Sequence, residues 1–195
     1  MNYYIDTEFI DHLVQNRLFG MKVGKPVHET DLISIGIASE DGREYYAVCN
    51  EFDVRGAWAD QWVRLNVLQP LHAELCQMQG VHAKTYHYEL FEPFTVKSIE
   101  RLIEWSGKSA YQIRAEVVEF CSGDPVFYGH FADYDWVVFC HLFGRMIDLP
   151  THFPMYCRDL QQMMDERGLD KEWKRRNCPD PLNAHNALAD AKWNK

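Results

Sequence analysis

The sequence has no long hydrophobic run and no basic segment near its N-terminus. A membrane-spanning helix needs roughly 20 consecutive apolar residues, and no stretch of the 195 residues comes near that length. The first residues, Met1 to Asp6, lack the positive charges of a secretory signal and carry an acid within their first apolar run. These absences predict a soluble protein with no signal peptide and no membrane partner.

Clustered cysteines and an excess of positive charge are also missing. The six cysteines are scattered and form no C-x-x-C pair, whereas zinc ribbons and disulfide frameworks use clustered spacings. We therefore expect reduced thiols in a cytoplasmic protein. The net charge of −9 argues against a protein that coats nucleic acid, because neutralising phosphates requires clustered Lys and Arg. An enzyme that grips a few nucleotides with the help of bound cations remains open.

Strand and helix signals predict a single α/β domain over residues 1–195. Apolar segments at 3–9, 32–38 and 45–49 are typical of strands, and a turn at Asp41 and Gly42 joins the last two. Helix, strand and helix signals then alternate from residue 98 onward. We expect a mixed sheet of about five strands, the first three antiparallel, flanked by α-helices. Residues 11–30 suggest a loop or lid, and residues 69–98 an insertion or arm.

The most informative acids are Asp6 and Glu8, which lie at the end of the first apolar strand. Residues two apart in a strand project from the same face, and two carboxylates on one buried face are costly without a cation between them. A divalent metal is the simplest remedy. An exposed surface pair is the alternative for this short motif taken alone.

Two further acidic motifs occur later in the chain. Asp135 follows a short apolar strand at the start of a helix, where the helix dipole alone favours a carboxylate, and Asp133 is the competing candidate there. Near the C-terminus, His185 and Asp190 form an H-x4-D pattern separated by Asn, Ala and Leu residues. The alternative for that pair is two unrelated surface side chains. Because helix neighbours lie three or four residues apart, His185 is expected at the helix mouth or in the preceding loop.

Together these motifs resemble the DEDDh 3′-5′ exonucleases, the superfamily that includes proofreading domains and ribonuclease T. The resemblance rests on I-D-T-E-F, F-A-D-Y-D-W and H-N-A-L-A-D in this order, and it spans residues 3–192. The segments D-T-E-F-I, L-I-S-I-G and E-D-G-R-E-Y-Y-A-V are most similar to a small bacterial and phage family of DEDDh exoribonucleases. The resemblance implies a ribonuclease H-like fold and a homodimer.

The resemblance also implies two divalent cations, Mg²⁺ with Mn²⁺ as a substitute, ~3.5–4 Å apart around the scissile phosphate. Asp6 would bridge both ions, Glu8 and Asp190 would hold the one carrying the attacking water, and Asp135 would support the other. His185 would accept the proton of that water, since imidazole changes protonation near neutral pH. The implied reaction releases nucleoside 5′-monophosphates from the 3′ end of RNA.

Four other residues are candidate substrate contacts. Thr7 and Phe9 flank the first two acids, Trp136 follows Asp135, and Arg158 is a nearby cation. Aromatic faces stack on any base, although core packing is the alternative for both rings. The remaining basic residues form a run that is typical either of a solvated helix face or of phosphate contacts: Lys171, Lys174, Arg175 and Arg176.

Other functions remain to be separated from this one. A DNA-directed 3′-5′ exonuclease acting on single strands or 3′ overhangs would carry the same motifs, because no residue can be assigned to read the 2′-hydroxyl. A non-catalytic nucleic-acid-binding protein is the rival from another class. A phosphate loop at residues 20–26 is excluded because the required Ser or Thr is missing. A metal site at the three histidines of residues 72–87 is disfavoured by their irregular spacing.

Overall fold

A five-stranded mixed sheet forms the centre of the molecule. The computed structural model describes residues 1–15, 17–19, 21–80, 93–179, 181 and 184–195. The strands are β1 (Asn2–Val14), β2 (Arg17–Leu18), β3 (Met21–Lys22), β4 (Val27–Ser39), β5 (Glu44–Val48), β6 (Val126–Gly129) and β7 (Arg158–Asp159). In the sheet order β5-β4-β1-β6-β7, the strands β1, β4 and β5 are antiparallel, and β6 and β7 run parallel to β1. The predicted α/β class, sheet and strand directions are confirmed.

The expectation of a loop or lid over residues 11–30 is wrong for most of that segment. β1 and β4 pair without interruption from Phe9–Leu32 to Val14–Val27 and so extend the sheet as a two-stranded ribbon. β2 and β3 form a separate small hairpin at its end. Most side chains of the ribbon are exposed or half-buried. Strand periodicity is visible in a sequence only where one face is buried. The sequence of the ribbon therefore resembles that of a loop.

Helices cover both faces of the sheet. The helices are α1 (Val54–Ala59), α2 (Gln61–Val63), α3 (Gln69–Gly80), α4 (Val96–Ser106), α5 (Ala110–Phe120), α6 (Asp133–His141), α7 (Leu160–Glu166), α8 (Lys171–Asn177) and α9 (Ala187–Asn194). Polar side chains cap several of them: Ser109 and Gln112 form a capping box at the start of α5, Asp159 caps α7, and Asn186 caps α9. A π-helical turn spans Arg64–Leu68, and a 3-10 turn spans Met146–Asp148.

The segment predicted to be an insertion or arm is partly helical. Helix α3 packs against the core through the buried residues Leu71 and Leu75, in a cluster that also contains Ile99 of α4. The irregular mixture of polar and apolar residues in this segment conceals that periodicity. Residues 81–92 lie outside the described part of the chain. The single-domain organisation with an insertion therefore stays a prediction.

The small residues of α9 allow this helix to lie directly on the sheet. Ala187 and Ala191 are fully buried, and α9 contacts both β1 and β4. A Cβ atom on Gly36 would overlap the backbone of Ala187 and Leu188. Gly36 makes this close packing possible. This contact fixes the N-terminus of α9 beside the middle of β1.

Two other sequence expectations concern the chain as a whole. All six cysteines lie in the described part of the chain and are free thiols, as their spacing predicts. Among the described residues, no helix combines the length and apolar character that crossing a membrane requires.

Candidate active site

Asp6 and Glu8 occupy the middle of β1, where they pair with Gly36 and Ser34 of β4. Burial, together with repulsion from the carboxylates of Asp190 and Asp135, raises the pKa of Glu8 to about 8. Burial also raises the pKa of Asp6 well above its ordinary value, together with repulsion from Asp135, Glu8 and Asp190. The two acids on one face therefore form part of a larger group of mutually repelling carboxylates.

Asp135 reaches this group from the first turn of α6. Its Oδ1 accepts two hydrogen bonds from Thr7, one from the backbone N–H at 2.8 Å and one from the hydroxyl at 2.6 Å. Burial raises the pKa of Asp135 to about 6, while the hydrogen bonds from Thr7 oppose the rise. Asp133 is exposed, and Ala132 rather than Asp133 occupies the capping position of α6. Of the two acids that competed in the sequence, Asp135 is the one that faces Asp6.

His185 and Asp190 complete the group from the N-terminus of α9. The backbone N–H of His185 donates to Oδ2 of Asp190 at 2.8 Å, so the H-x4-D spacing closes a hydrogen bond around the helix start. His185 precedes the capping residue Asn186 and has a φ of 66°, which agrees with its expected place at the helix mouth. One potential ligand atom from each of Glu8, His185 and Asp190 lies within 4.8 Å of the others.

The electrostatics of the site suit divalent cations. In the described part of the chain, the ion pairs with Lys, Arg or His involve neither Asp6, Glu8 nor Asp135. Buried carboxylates without a cationic partner are costly, and the raised pKa of Glu8 records that cost. Carboxylate oxygens are the ligands that Mg²⁺ and Mn²⁺ prefer. The donor set and its charge therefore fit the cations that the motifs imply.

The aromatic candidates Phe9 and Trp136 lie in different surroundings. Phe9 is half-buried and stacks on Tyr134, with ring centroids 5.5 Å apart and an interplanar angle of 8°. Trp136 is only 8% exposed and packs between Phe127 and Phe139 in the core. The exposed ring beside Asp135 is Tyr134, which nothing in the sequence distinguishes from its neighbours. Local helix geometry determines which neighbour of Asp135 faces outward.

The polar candidates Thr7 and Arg158 form hydrogen bonds with other side chains of the protein. Thr7 is buried and donates its hydroxyl to Asp135. Arg158 lies on β7, where it donates to the hydroxyl of Tyr128 at 3.1 Å and covers the ring of that tyrosine.

The predicted basic run lies on α8, and three of its residues contact neighbouring groups of this protein. Arg175 pairs with Glu172, and Arg176 donates to the carbonyl of the same residue. The ammonium of Lys174 lies 2.8 Å from His130 Nε2 and 4.1 Å from the ring centre of Trp193. Lys171, the first residue of the helix, is exposed.

A cavity of about 440 Å³ adjoins His185 and Asn186. Glu74 and Gln77 of α3 line it, and so does Tyr46 of β5. The rings of His185 and Trp62 also pack in a T-shaped arrangement, with centroids 4.9 Å apart. Of these neighbours, only Asn186 is detectable in the sequence, as a typical capping residue before an apolar helix. His72 is buried against Phe94, whereas His82 and His87 lie outside the described residues.

Comparison with known proteins identifies relatives over almost the whole chain. No protein-family model matches the sequence. Two curated proteins from Mycobacterium tuberculosis, one from strain CDC 1551 / Oshkosh and one from strain ATCC 25618 / H37Rv, are each 33% identical over 196 residues. The alignment covers 98% of this chain and 88% of each relative. Both relatives are named 3′-5′ exoribonucleases.

Proposed function

Because the chain belongs to the family of 3′-5′ exoribonucleases represented by these mycobacterial relatives, we propose that it degrades RNA from the 3′ end by cation-dependent hydrolysis. The observation that carries the proposal is the convergence of the acids from β1, α6 and α9 beside one imidazole. These residues belong to the DEDDh pattern, and the order in which they occur is that of the pattern. The assignment of the chain to the DEDDh superfamily is part of the proposal.

Asp6, Glu8, Asp135 and Asp190 would hold two divalent cations, Mg²⁺ or Mn²⁺. Such cations supply neutralising charge for the carboxylates and the phosphate, and they lower the pKa of a bound water. The four carboxylates come from β1, α6 and α9. The packing of these three elements would therefore determine where the cations bind. Thr7 fixes the orientation of Asp135 through the hydroxyl and the backbone N–H.

His185 is the proposed general base. Its backbone N–H is fixed by Asp190, so the imidazole projects from a turn that is anchored to the carboxylate group. The imidazole takes the proton of the attacking water, the bond between phosphorus and the 3′ oxygen of the preceding nucleotide breaks, and that oxygen gains a proton. The products are a nucleoside 5′-monophosphate and an RNA shortened by one residue with a new 3′-hydroxyl.

The stacked rings of Phe9 and Tyr134 are the proposed contact for the terminal base. Tyr134 is 55% exposed and lies next to Asp135 in the sequence, so a base placed on the pair would be close to the carboxylates. Stacking of this kind tolerates any base. Buried Trp136 would support the site through its packing beneath α6. Arg158 would contact RNA phosphates that lie further from the 3′ end. A homodimer and a cytoplasmic location also stay predictions.

Digestion of end-labelled RNA and of DNA with the same sequence tests the proposal. We expect the RNA to shorten stepwise from its 3′ end with Mg²⁺ and to remain intact with a chelator. A 3′-phosphate should block the reaction, whereas a 5′-phosphate should not. Equal or faster digestion of DNA would favour the DNA-directed alternative. Binding of either nucleic acid without hydrolysis in Mg²⁺ or Mn²⁺ would favour the non-catalytic one.

A further inference from the structure

The side chain of Asn186 joins the start of α9 to a distant helix. Its Oδ1 accepts the N–H of Ala189 at 3.0 Å and so caps α9. Its Nδ2 donates to Oε2 of Glu74 on α3 at 2.9 Å, across 112 residues of sequence. A capping function needs only the oxygen of this side chain. The amide nitrogen therefore provides an additional connection to α3.

Glu74 is held in turn by a second donor. The hydroxyl of Tyr46 on β5 donates to the same Oε2 at 3.3 Å, and Tyr46 is paired with Gly36 in the sheet. Burial raises the pKa of Glu74, while the hydrogen bonds from Tyr46 and Asn186 lower it. A partly buried carboxylate is costly unless donors satisfy it. Both donors converge on one oxygen, so the sheet and the start of α9 are joined through a single atom.

A π-helical turn leads directly into α3. The N–H of Gln69 donates to the carbonyl of Arg64, five residues earlier. Pro70 follows directly, and a proline in an α-helix lacks the N–H and crowds the carbonyl four residues back. The wider π turn accommodates such a residue within a continuous helical segment. Glu74 and Gln77, one turn apart on α3, then both face the cavity beside His185.

His185 itself has a backbone conformation that needs support. Its φ of 66° lies in the left-handed region, which residues other than glycine adopt only where their surroundings enforce it. The hydrogen bond from His185 N–H to Asp190 fixes one side of this residue. The bond from Asn186 to Glu74 fixes the next residue along the chain. Without the second bond, the hydrogen bond to Asp190, the cap and the contact with Trp62 would remain to hold His185, and the link to α3 would be lost.

Resting on the proposed function, we propose that Glu74 is a positioning residue that holds the imidazole of His185 in place through Asn186. The carboxylate acts as a hydrogen-bond acceptor, and Tyr46 keeps that acceptor in position. The residues that support hydrolysis thereby extend beyond the five of the motifs to a network formed by β5, α3 and α9.

Steady-state hydrolysis of RNA by matched variants tests the inference. Glu74→Leu removes the acceptor, whereas Glu74→Gln retains an oxygen that can accept from Asn186. We expect Glu74→Leu to lower kcat roughly ten- to a hundredfold, because small displacements of a base are costly. We expect KM to change by no more than about twofold, and Glu74→Gln to remain within about threefold of the wild-type kcat. Gln77→Leu, one turn along the same cavity wall, should leave both constants unchanged.

An exchange of donor and acceptor separates this role from a general packing effect. Asn186→Asp keeps the oxygen that caps α9 but loses the donor to Glu74, so kcat should fall as in Glu74→Leu. Combining Asn186→Asp with Glu74→Gln restores a donor–acceptor pair in the opposite direction and should recover most of kcat. This exchange still tests the role of Glu74 if the Glu74→Leu protein does not fold. Failure of the double variant to recover, or wild-type kcat in Asn186→Asp, would overturn the inference.

Side-chain NMR of His185 provides a readout that needs no RNA. In the wild-type protein and Glu74→Gln we expect one sharp set of ring signals, and in Glu74→Leu we expect broadened or shifted signals. Identical His185 signals in wild type and Glu74→Leu would overturn the inference even if RNA hydrolysis is established. If the wild-type protein does not hydrolyse RNA, the proposed function fails, and the NMR comparison alone decides whether Glu74 positions His185.

Discussion

Thr7 donates both its backbone N–H and its hydroxyl to the same oxygen of Asp135, at 2.8 and 2.6 Å. The residue between the first two acids of the site therefore orients the third. This relationship explains how a D-T-E segment on β1 and an acid on α6 form one rigid group although 128 residues separate Thr7 from Asp135.

Replacing the Thr7 hydroxyl should weaken the site without removing an acid. Thr7→Val keeps the shape of the side chain and the backbone hydrogen bond, but it loses the hydroxyl donor to Asp135. Hydrogen bonds that orient metal-binding side chains are typically worth 10- to 100-fold in affinity or activity, so we expect kcat/KM to fall by roughly tenfold at limiting Mn²⁺. Thr7→Ser should retain nearly all activity. Equal activity in Thr7→Val and the wild type across a Mn²⁺ titration would refute this function of the hydroxyl.

The stability of the metal-free protein should depend on pH in a defined direction. Burial and neighbouring acids raise the pKa of Glu8 from 4.5 to about 8, and burial raises that of Asp135 from 3.8 to about 6. At pH values between the unfolded and the folded pKa of these two acids, the unfolded chain binds fewer protons than the folded protein. The free energy of unfolding therefore falls as the pH rises. The Tm in chelator should therefore fall from about pH 4.5 to about pH 8.

Two controls identify the source of this pH dependence. Added Mn²⁺ should raise the Tm most at the upper end of the window, where the carboxylates carry charge. Glu8→Gln should flatten the pH dependence and raise the Tm in chelator, because it removes one of the ionising groups. A metal-free Tm that rises over the same window would contradict the raised pKa values.

Gly36 should tolerate no side chain. A Cβ at this position would overlap the backbone of Ala187 and Leu188, so Gly36→Ala must displace the start of α9 together with His185 and Asp190. We expect a loss of about 1–3 kcal/mol in the free energy of unfolding and an almost complete loss of hydrolysis. The overlap involves backbone atoms, so Ala187→Gly should not restore activity in the Gly36→Ala protein. Urea denaturation and RNA digestion measure the two effects, and full activity in Gly36→Ala would exclude this packing.

Tyr134 and Trp136 should differ in what their loss affects. Trp136 is buried against Phe127 and Phe139, and its replacement by Ala should cost about 3–5 kcal/mol in stability. Tyr134→Ala should leave stability nearly unchanged and raise KM for short RNA, since the exposed ring would lose its stacking with a base. Urea denaturation and initial rates distinguish the two variants. A stable Trp136→Ala protein with a raised KM would instead assign the base contact to Trp136.

The sequence predicts those features that leave a local trace. Acids within the apolar strand around Asp6 stand out because charge is rare in such a run, and the cap at Asn186 marks the start of α9. The extended ribbon of β1 and β4 was not predictable, since neither of its faces is buried enough to impose a period. The position of Trp136 next to Asp135 makes Trp136 a candidate base contact in the sequence. Only the orientation of α6 in the fold shows that Tyr134 is the exposed ring.

Glu74 was beyond the reach of sequence reasoning for a different reason. Its two donors lie 28 and 112 residues away, and its own segment carries no clear helical pattern. Nothing local distinguishes it from an ordinary surface acid. Contacts that depend on the packing of three separate elements become visible only in the folded structure.

Calorimetric titration of Mn²⁺ into the metal-free protein tests the two-cation site without RNA, because it counts the bound ions. We expect two ions per chain for the wild type and loss of at least one of them in Asp6→Asn, with the fold retained. Asp133→Asn, which alters an exposed acid at the start of the same helix as Asp135, should bind as the wild type does. No Mn²⁺ binding by the wild type, or unchanged binding by Asp6→Asn, would exclude a two-cation site at these carboxylates.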